Sequence, residues 1–76
     1  ENYVAKALGL LNEVLDKDPN NQEALLLTGA IYSQSKDFRR AAEVLEKAAK
    51  LGGRRSFMAH YYLGRIYRDT GNLSRA

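Results

Sequence analysis

The sequence predicts an all-α fold, with antiparallel helix pairs stacked as an α-solenoid of four helices and the start of a fifth. Three observations predict it. The chain repeats itself: Gly29-x2-Tyr32 returns as Gly64-x2-Tyr67 thirty-five residues on, and Ala7-x3-Leu11 returns as Ala41-x3-Leu45 thirty-four on. Phe38 and Ala41 come back once more as Leu73 and Ala76. A fixed period of this size marks units that cannot bury their apolar face alone and must stack on neighbours. Between turn signals the apolar residues recur at helical spacing. The links between these segments are short, which forces successive helices to pack antiparallel.

The first helix is predicted from about Tyr3 to Lys17, where Val4, Ala7, Leu8, Leu11, Val14 and Leu15 form one stripe. Asp18-Pro19-Asn20-Asn21 ends it, because proline fixes φ and disfavours a helical residue before it. Asn20 and Glu23 have capping-box spacing and open a second helix over about 21–35. Ser35-Lys36-Asp37 is a tight link, with Asp37 placed to cap a third helix over about 38–51. Gly52-Gly53 stops that helix by supplying left-handed backbone. Ser56 is the candidate cap of a fourth helix reaching about Thr70. Gly71-Asn72 then repeats the link at Lys36-Asp37, so 73–76 begin a fifth helix.

The organisation is one segment, 1–76: 1–19 as the second helix of a partial repeat, 20–53 as a full repeat, and 54–76 as the first helix and link of another. The phase of the repeat and the absence of an initial Met suggest a piece of a longer chain. Helices cut off from neighbours leave apolar surface open, which predicts weak self-association of the segment as it stands. No apolar run approaches the ~20 residues of a membrane span, so no membrane insertion is expected. There is no cysteine, which excludes disulfides and leaves the compartment unread.

The net charge of +3 is unevenly spread. Residues 1–49 carry six basic and eight acidic groups, a net of −2, whereas 50–76 carry six basic groups and Asp69 alone, a net of +5. Such a gradient steers an acidic partner toward one end. No nucleophile–base pair, metal-ligand spacing or phosphate loop is visible, so the segment is read as non-catalytic with no cofactor and no metal. Gly52-Gly53-Arg54-Arg55-Ser56 lacks the spacing of a phosphate loop and reads as a linker. His60, the only histidine, has no ligating neighbours and reads as a buried or half-buried structural residue.

Gly29 and Gly64 lie inside helices, where glycine costs about 1 kcal/mol relative to alanine. Two such glycines in register point to places where a side chain does not fit. Ala7, Ala41, Ala48 and Ala76 read the same way on the facing helices.

These residues resemble the tetratricopeptide repeat, W-x2-L-G-x2-Y, then A-x3-F, then a proline. One copy reads Leu25-x2-Thr28-Gly29-x2-Tyr32, then Ala41-x3-Leu45, then Ala48; the next reads His60-x2-Leu63-Gly64-x2-Tyr67, then Ala76. Asp18-Pro19-Asn20-Asn21 is similar to the family's bridge between repeats. Leu25 and His60 replace the favoured Trp, Thr28 the Leu and Gly53 the Pro. The thirty-five-residue step also suits pentatricopeptide RNA binders, but the Gly-x2-Tyr pairs and the bridge favour the tetratricopeptide reading. The resemblance implies a right-handed solenoid acting as a protein–protein interaction scaffold, its first helices lining a concave groove.

On the second helix Leu25, Gly29 and Tyr32 face the partner helix, and a ~100° step places Leu26, Ala30 and Ser33 beside them. The equivalent stripe on the fourth helix is Tyr61, Arg65 and Arg68. In the family this stripe faces the groove, so these six are the candidate peptide-binding residues, suited to an acidic or C-terminal segment. Arg65 and Asp69 also stand four apart, where they can pair along the helix. The family's clamp for chaperone tails needs Lys and Asn where Leu26 and Ala30 stand, so that specificity is not supported. Nucleic-acid binding is the alternative, motivated by the basic end with Tyr61, Tyr62 and Arg65. The second helix presents no stacking ring at Leu26 or Ala30, which disfavours it. Self-association is a further alternative.

Overall fold

The computed structural model describes residues 2–71 and shows four helices: α1 (Asn2–Lys17), α2 (Gln22–Gln34), α3 (Phe38–Lys50) and α4 (Ser56–Thr70). The expected start of a fifth helix, 73–76, lies outside the described residues. Successive helices pack on each other in chain order, with α3 lying against both α2 and α4. A narrower contact joins α2 directly to α4.

The turns explain the helix ends. Pro19 sits in a turn closed by the Asn21 N–H donating to the Asp18 carbonyl at 3.0 Å. That turn absorbs Asn20, so the cap of α2 is Asn21, whose Oδ1 accepts from the Ala24 N–H at 3.0 Å. The expected Asn20 cap is thereby corrected by one residue. Asp37 caps α3 as expected, accepting from the Arg40 N–H at 3.4 Å. Ser56 does not cap α4: its hydroxyl donates to the Gly53 carbonyl at 2.7 Å, and the cap position falls on Arg55 with no side-chain bond. The backbone there begins instead with i→i+3 bonds from Phe57 to Arg54 and Met58 to Arg55.

Glycine ends α3 and α4 as the sequence implies, Gly52 at φ 77° and Gly71 at φ 74°. The end of α2 is different. Asp37 N–H donates to the Tyr32 carbonyl and Lys36 N–H to the Ser33 carbonyl, the paired bonds of a Schellman ending. Its left-handed residue is Lys36, at φ 65°. A lysine thus stands where the next copy, thirty-five residues on, has Gly71.

The core sits where α2, α3 and α4 meet. Ala41, Leu45 and Ala48 are fully buried along one face of α3, at i, i+4 and i+7. Leu25 and Leu26 of α2 and Ala59, Leu63 and Ile66 of α4 complete the cluster. The small residues work as expected at one crossing: a Cβ on Gly29 would lie 2.5 Å from Leu45 Cγ and Cδ2. At Gly64 no atom of the described residues stands within 4 Å of such a Cβ, and the residues expected to approach it, from 73 on, lie outside the described ones.

One tie was not foreseen. Gln22, the first residue of α2, donates both Nε2 hydrogens, to the Ala48 and Gly52 carbonyls, each at 2.9 Å. It gives the Ala48 carbonyl a second donor beside the Leu51 N–H at 3.3 Å, and it ties down the Gly52 carbonyl just past the end of α3. Thr28 is fully buried and donates its hydroxyl to the Ala24 carbonyl at 2.8 Å, so the polar atom costs the core nothing unpaired.

Candidate interaction groove

Helix α2 and helix α4 carry the two matching Gly-x2-Tyr motifs, and their near sides enclose a concavity of about 360 Å³. Ala30, Ser33 and Gln34 line it from α2, Lys36 and Phe38 from the link and the start of α3, and Tyr62, Arg65 and Asp69 from α4. A second, shallower hollow on α4 is lined by His60, Tyr61, Gly64, Arg65 and Arg68. Arg65 borders both.

The six residues singled out in the sequence are therefore divided. Ala30, Ser33 and Arg65 come together in the concavity between the two helices. Tyr61 and Arg68 share the hollow on α4 with Arg65 and do not line the concavity. Leu26 lines neither; at 6% exposure it belongs to the core, which corrects its reading as groove surface. Helix α2 is packed by α1, α3 and α4 together, so its buried arc is wider than one stripe and takes in Ala24, Leu25 and Leu26.

His60 is exposed and corrects its reading as a buried residue. Its counterpart Leu25 is covered within the core, and the face of α4 that carries His60 is open among the described residues.

The aromatic and charged groups on α4 hold one another. Tyr61 and Tyr62 meet edge to face with centroids 5.8 Å apart, and the Arg65 guanidinium carbon stands 6.0 Å from the Tyr61 ring centroid. Tyr61 itself is 63% exposed. The helical pairing of Arg65 with Asp69 is not formed among the described residues. Ring contact and ion pairing compete for one guanidinium, and here the ring has it. Farther along α4, Tyr67 donates its hydroxyl to Glu46 Oε2 of α3 at 2.7 Å. That hydrogen bond, reinforced by burial and by the carboxylate's charge, raises the Tyr67 pKa above the ordinary 10.0.

Sequence reasoning missed Lys36, Gln34 and Phe38 as lining residues. The first two follow the last groove turn of α2, beyond the stripe that periodicity marks. The signal for Lys36 was its register with Gly71.

Helix pairs in register, a glycine-to-leucine crossing between them and a concavity between their first helices define a helical repeat array. The tetratricopeptide repeat model matches residues 4–55, more than half of the chain, and the chain belongs to that family. Such repeats generally mediate protein–protein interactions. The chain is also similar to interferon-induced protein with tetratricopeptide repeats 2 of Mus musculus, 35% identical over 64 residues. That match covers 84% of this chain and 13% of the mouse protein's length. No solved structure matches it. None of the described helices is long and apolar enough to cross a membrane.

Proposed function

We propose that the chain is a non-catalytic part of a scaffold that holds a peptide or protein segment in the concavity between α2 and α4. The observation that carries this reading is the meeting of Ala30, Ser33 and Arg65 from two successive first helices in one open hollow. Small side chains on α2 leave room for a backbone, while Arg65 supplies a fork of donors that fits a carboxylate. The rigid ring of Tyr62 adds contact area there with little rotamer entropy to lose. The test is a backbone amide NMR titration with a mixed pool of acidic and apolar peptides. Shifts at Ala30, Ser33, Tyr62 and Arg65 are expected. Shifts confined to α1, at Leu8, Leu10 and Leu11, would overturn the reading.

Nucleic-acid binding is a second reading, favoured by the cluster of Tyr61, Tyr62 and Arg65 on α4. It requires rings along the facing wall as well, and Ala30 and Ser33 stand there. Self-association is a third, favoured by Leu10 and Val14 lying exposed on α1, and sedimentation equilibrium across a concentration series tests it.

A further inference from the structure

We propose that the segment held in the groove is acidic, with a glutamate or aspartate side chain of the partner lying between Lys36 and Arg65; this rests on the groove reading above. Both cations line the same concavity, one from each wall. Neither has an ion pair among the described residues. Arg65 is oriented by the Tyr61 ring at 6.0 Å, a contact that holds the guanidinium in place without cancelling its charge. Its planar donors therefore stay open to a carboxylate, the geometry that guanidinium matches bidentately.

Lys36 supplies an independent observation. It occupies left-handed backbone at φ 65°, where glycine is the unstrained choice and where the next copy has Gly71 at φ 74°. The fold would be served better by glycine. What lysine adds at this place is a long cationic side chain lining the same concavity as Arg65.

The wider field agrees. Residues 50–71 carry five basic groups, Lys50, Arg54, Arg55, Arg65 and Arg68, against Asp69 alone. Of these, Arg55 is engaged with Glu23 at 3.6 Å. Asp69 also lines the concavity, and against Lys36 and Arg65 it leaves a local excess of one positive charge. Phe38 and Tyr62, both half-buried in the wall, offer apolar contact to the side chain next to the acidic one. A phosphate backbone would meet the same cations, but the α2 wall gives its bases nothing to stack on.

The test uses three labelled probes in fluorescence anisotropy with parallel NMR mapping: a short peptide of alternating glutamate and phenylalanine, the same peptide with glutamine for glutamate, and an oligouridine. The glutamate peptide is expected to bind about tenfold more tightly than the glutamine peptide at low salt, and the preference to shrink as salt rises. Arg65→Met should cost about tenfold in affinity and Lys36→Gly about threefold. Lys36→Gly removes the charge while relieving the backbone, so it should bind more weakly and melt higher, which separates lost recognition from lost fold. Equal affinity for the glutamate and glutamine peptides, unchanged binding by both variants, or tighter binding of oligouridine would overturn the proposal. If the glutamine peptide binds as well and moves the Ala30, Ser33 and Tyr62 amides, the groove reading stands and the acidic preference falls. If neither peptide moves them, both fall.

Discussion

Gly29 and Gly64 occupy the same place in successive copies, yet the same substitution should act on them with opposite sign. Glycine inside a helix costs about 1 kcal/mol relative to alanine, so Gly→Ala begins with a gain of that size at each. At Gly64 nothing described stands within 4 Å of the new methyl, and the gain is kept. At Gly29 the methyl would lie 2.5 Å from Leu45 Cγ and Cδ2, a separation real contacts do not reach. Leu45 is fully buried between helices, so it can move aside only by displacing its packed neighbours. Forcing it aside costs roughly 1–3 kcal/mol, the usual range for overpacking a core. Gly29→Ala should thus be destabilised by up to about 2 kcal/mol and Gly64→Ala stabilised by about 1 kcal/mol. Urea unfolding followed by circular dichroism reads both, with the slope checked for constancy. A double-mutant cycle with Leu45→Ala locates the cause, because removing the leucine should abolish the penalty at Gly29 and leave Gly64→Ala unaffected. Equal shifts at the two glycines, or no coupling of Gly29 to Leu45, would refute the reasoning.

Three further outcomes follow from named contacts. Lys36→Gly should stabilise by about 0.5–1 kcal/mol, since left-handed backbone costs a non-glycine residue about 1–2 kcal/mol and the freer unfolded glycine returns part of it; a higher melting temperature checks this. Gln22→Ala should cost about 1–2 kcal/mol, because the Gly52 carbonyl loses its side-chain donor and the Ala48 carbonyl keeps only the 3.3 Å bond from the Leu51 N–H, and faster amide exchange around Gly52 should accompany the loss. For Tyr67 the folded pKa lies above the unfolded 10.0, so its hydrogen bond to Glu46 contributes fully below pH 10 and is lost as pH rises through the folded value. The contribution is about 0.5 kcal/mol for so open a pair, and Tyr67→Phe should remove that alkaline loss in a stability profile over pH 9–12.

The helices were legible because their signals are local. Pro19, Gly52-Gly53 and Gly71 punctuate the chain, and the helical period between them leaves the boundaries within a residue of those observed. Asp37 was legible as a cap for the same reason, since a cap bonds within its own first turn. What could not be read depends on what lies across the helix. Gly29 and Gly64 look alike in sequence, and only the presence of Leu45 opposite one of them tells them apart. Leu26 continues the groove stripe by periodicity, but three helices converge on α2 and draw that residue into the core. His60 matches a buried position in register and is exposed because no described helix covers that face. Arg65 and Asp69 have the spacing of an ion pair, and a ring one turn back takes the arginine instead.

The two copies also divide architecture from recognition. Of the positions that stay the same, Gly29 makes room for Leu45 of the facing helix, and Tyr32 and Tyr67 both pack against the core. Among the positions that change, Ala30 becomes Arg65 and Ser33 becomes Arg68 where α2 and α4 line the concavity and its neighbouring hollow, while Lys36 on the same concavity has Gly71 as its counterpart. The change runs in one direction, from small uncharged side chains on α2 to guanidinium groups on α4, with the single added charge on the α2 side placed at its C-terminal rim. On the proposed groove reading, a segment bound across both helices would meet an uncharged wall and a cationic one, and its acidic residues would settle toward α4 and the Lys36 rim. Uniform repeats could hold a segment in either direction; on that reading the asymmetry between these two copies would give it one.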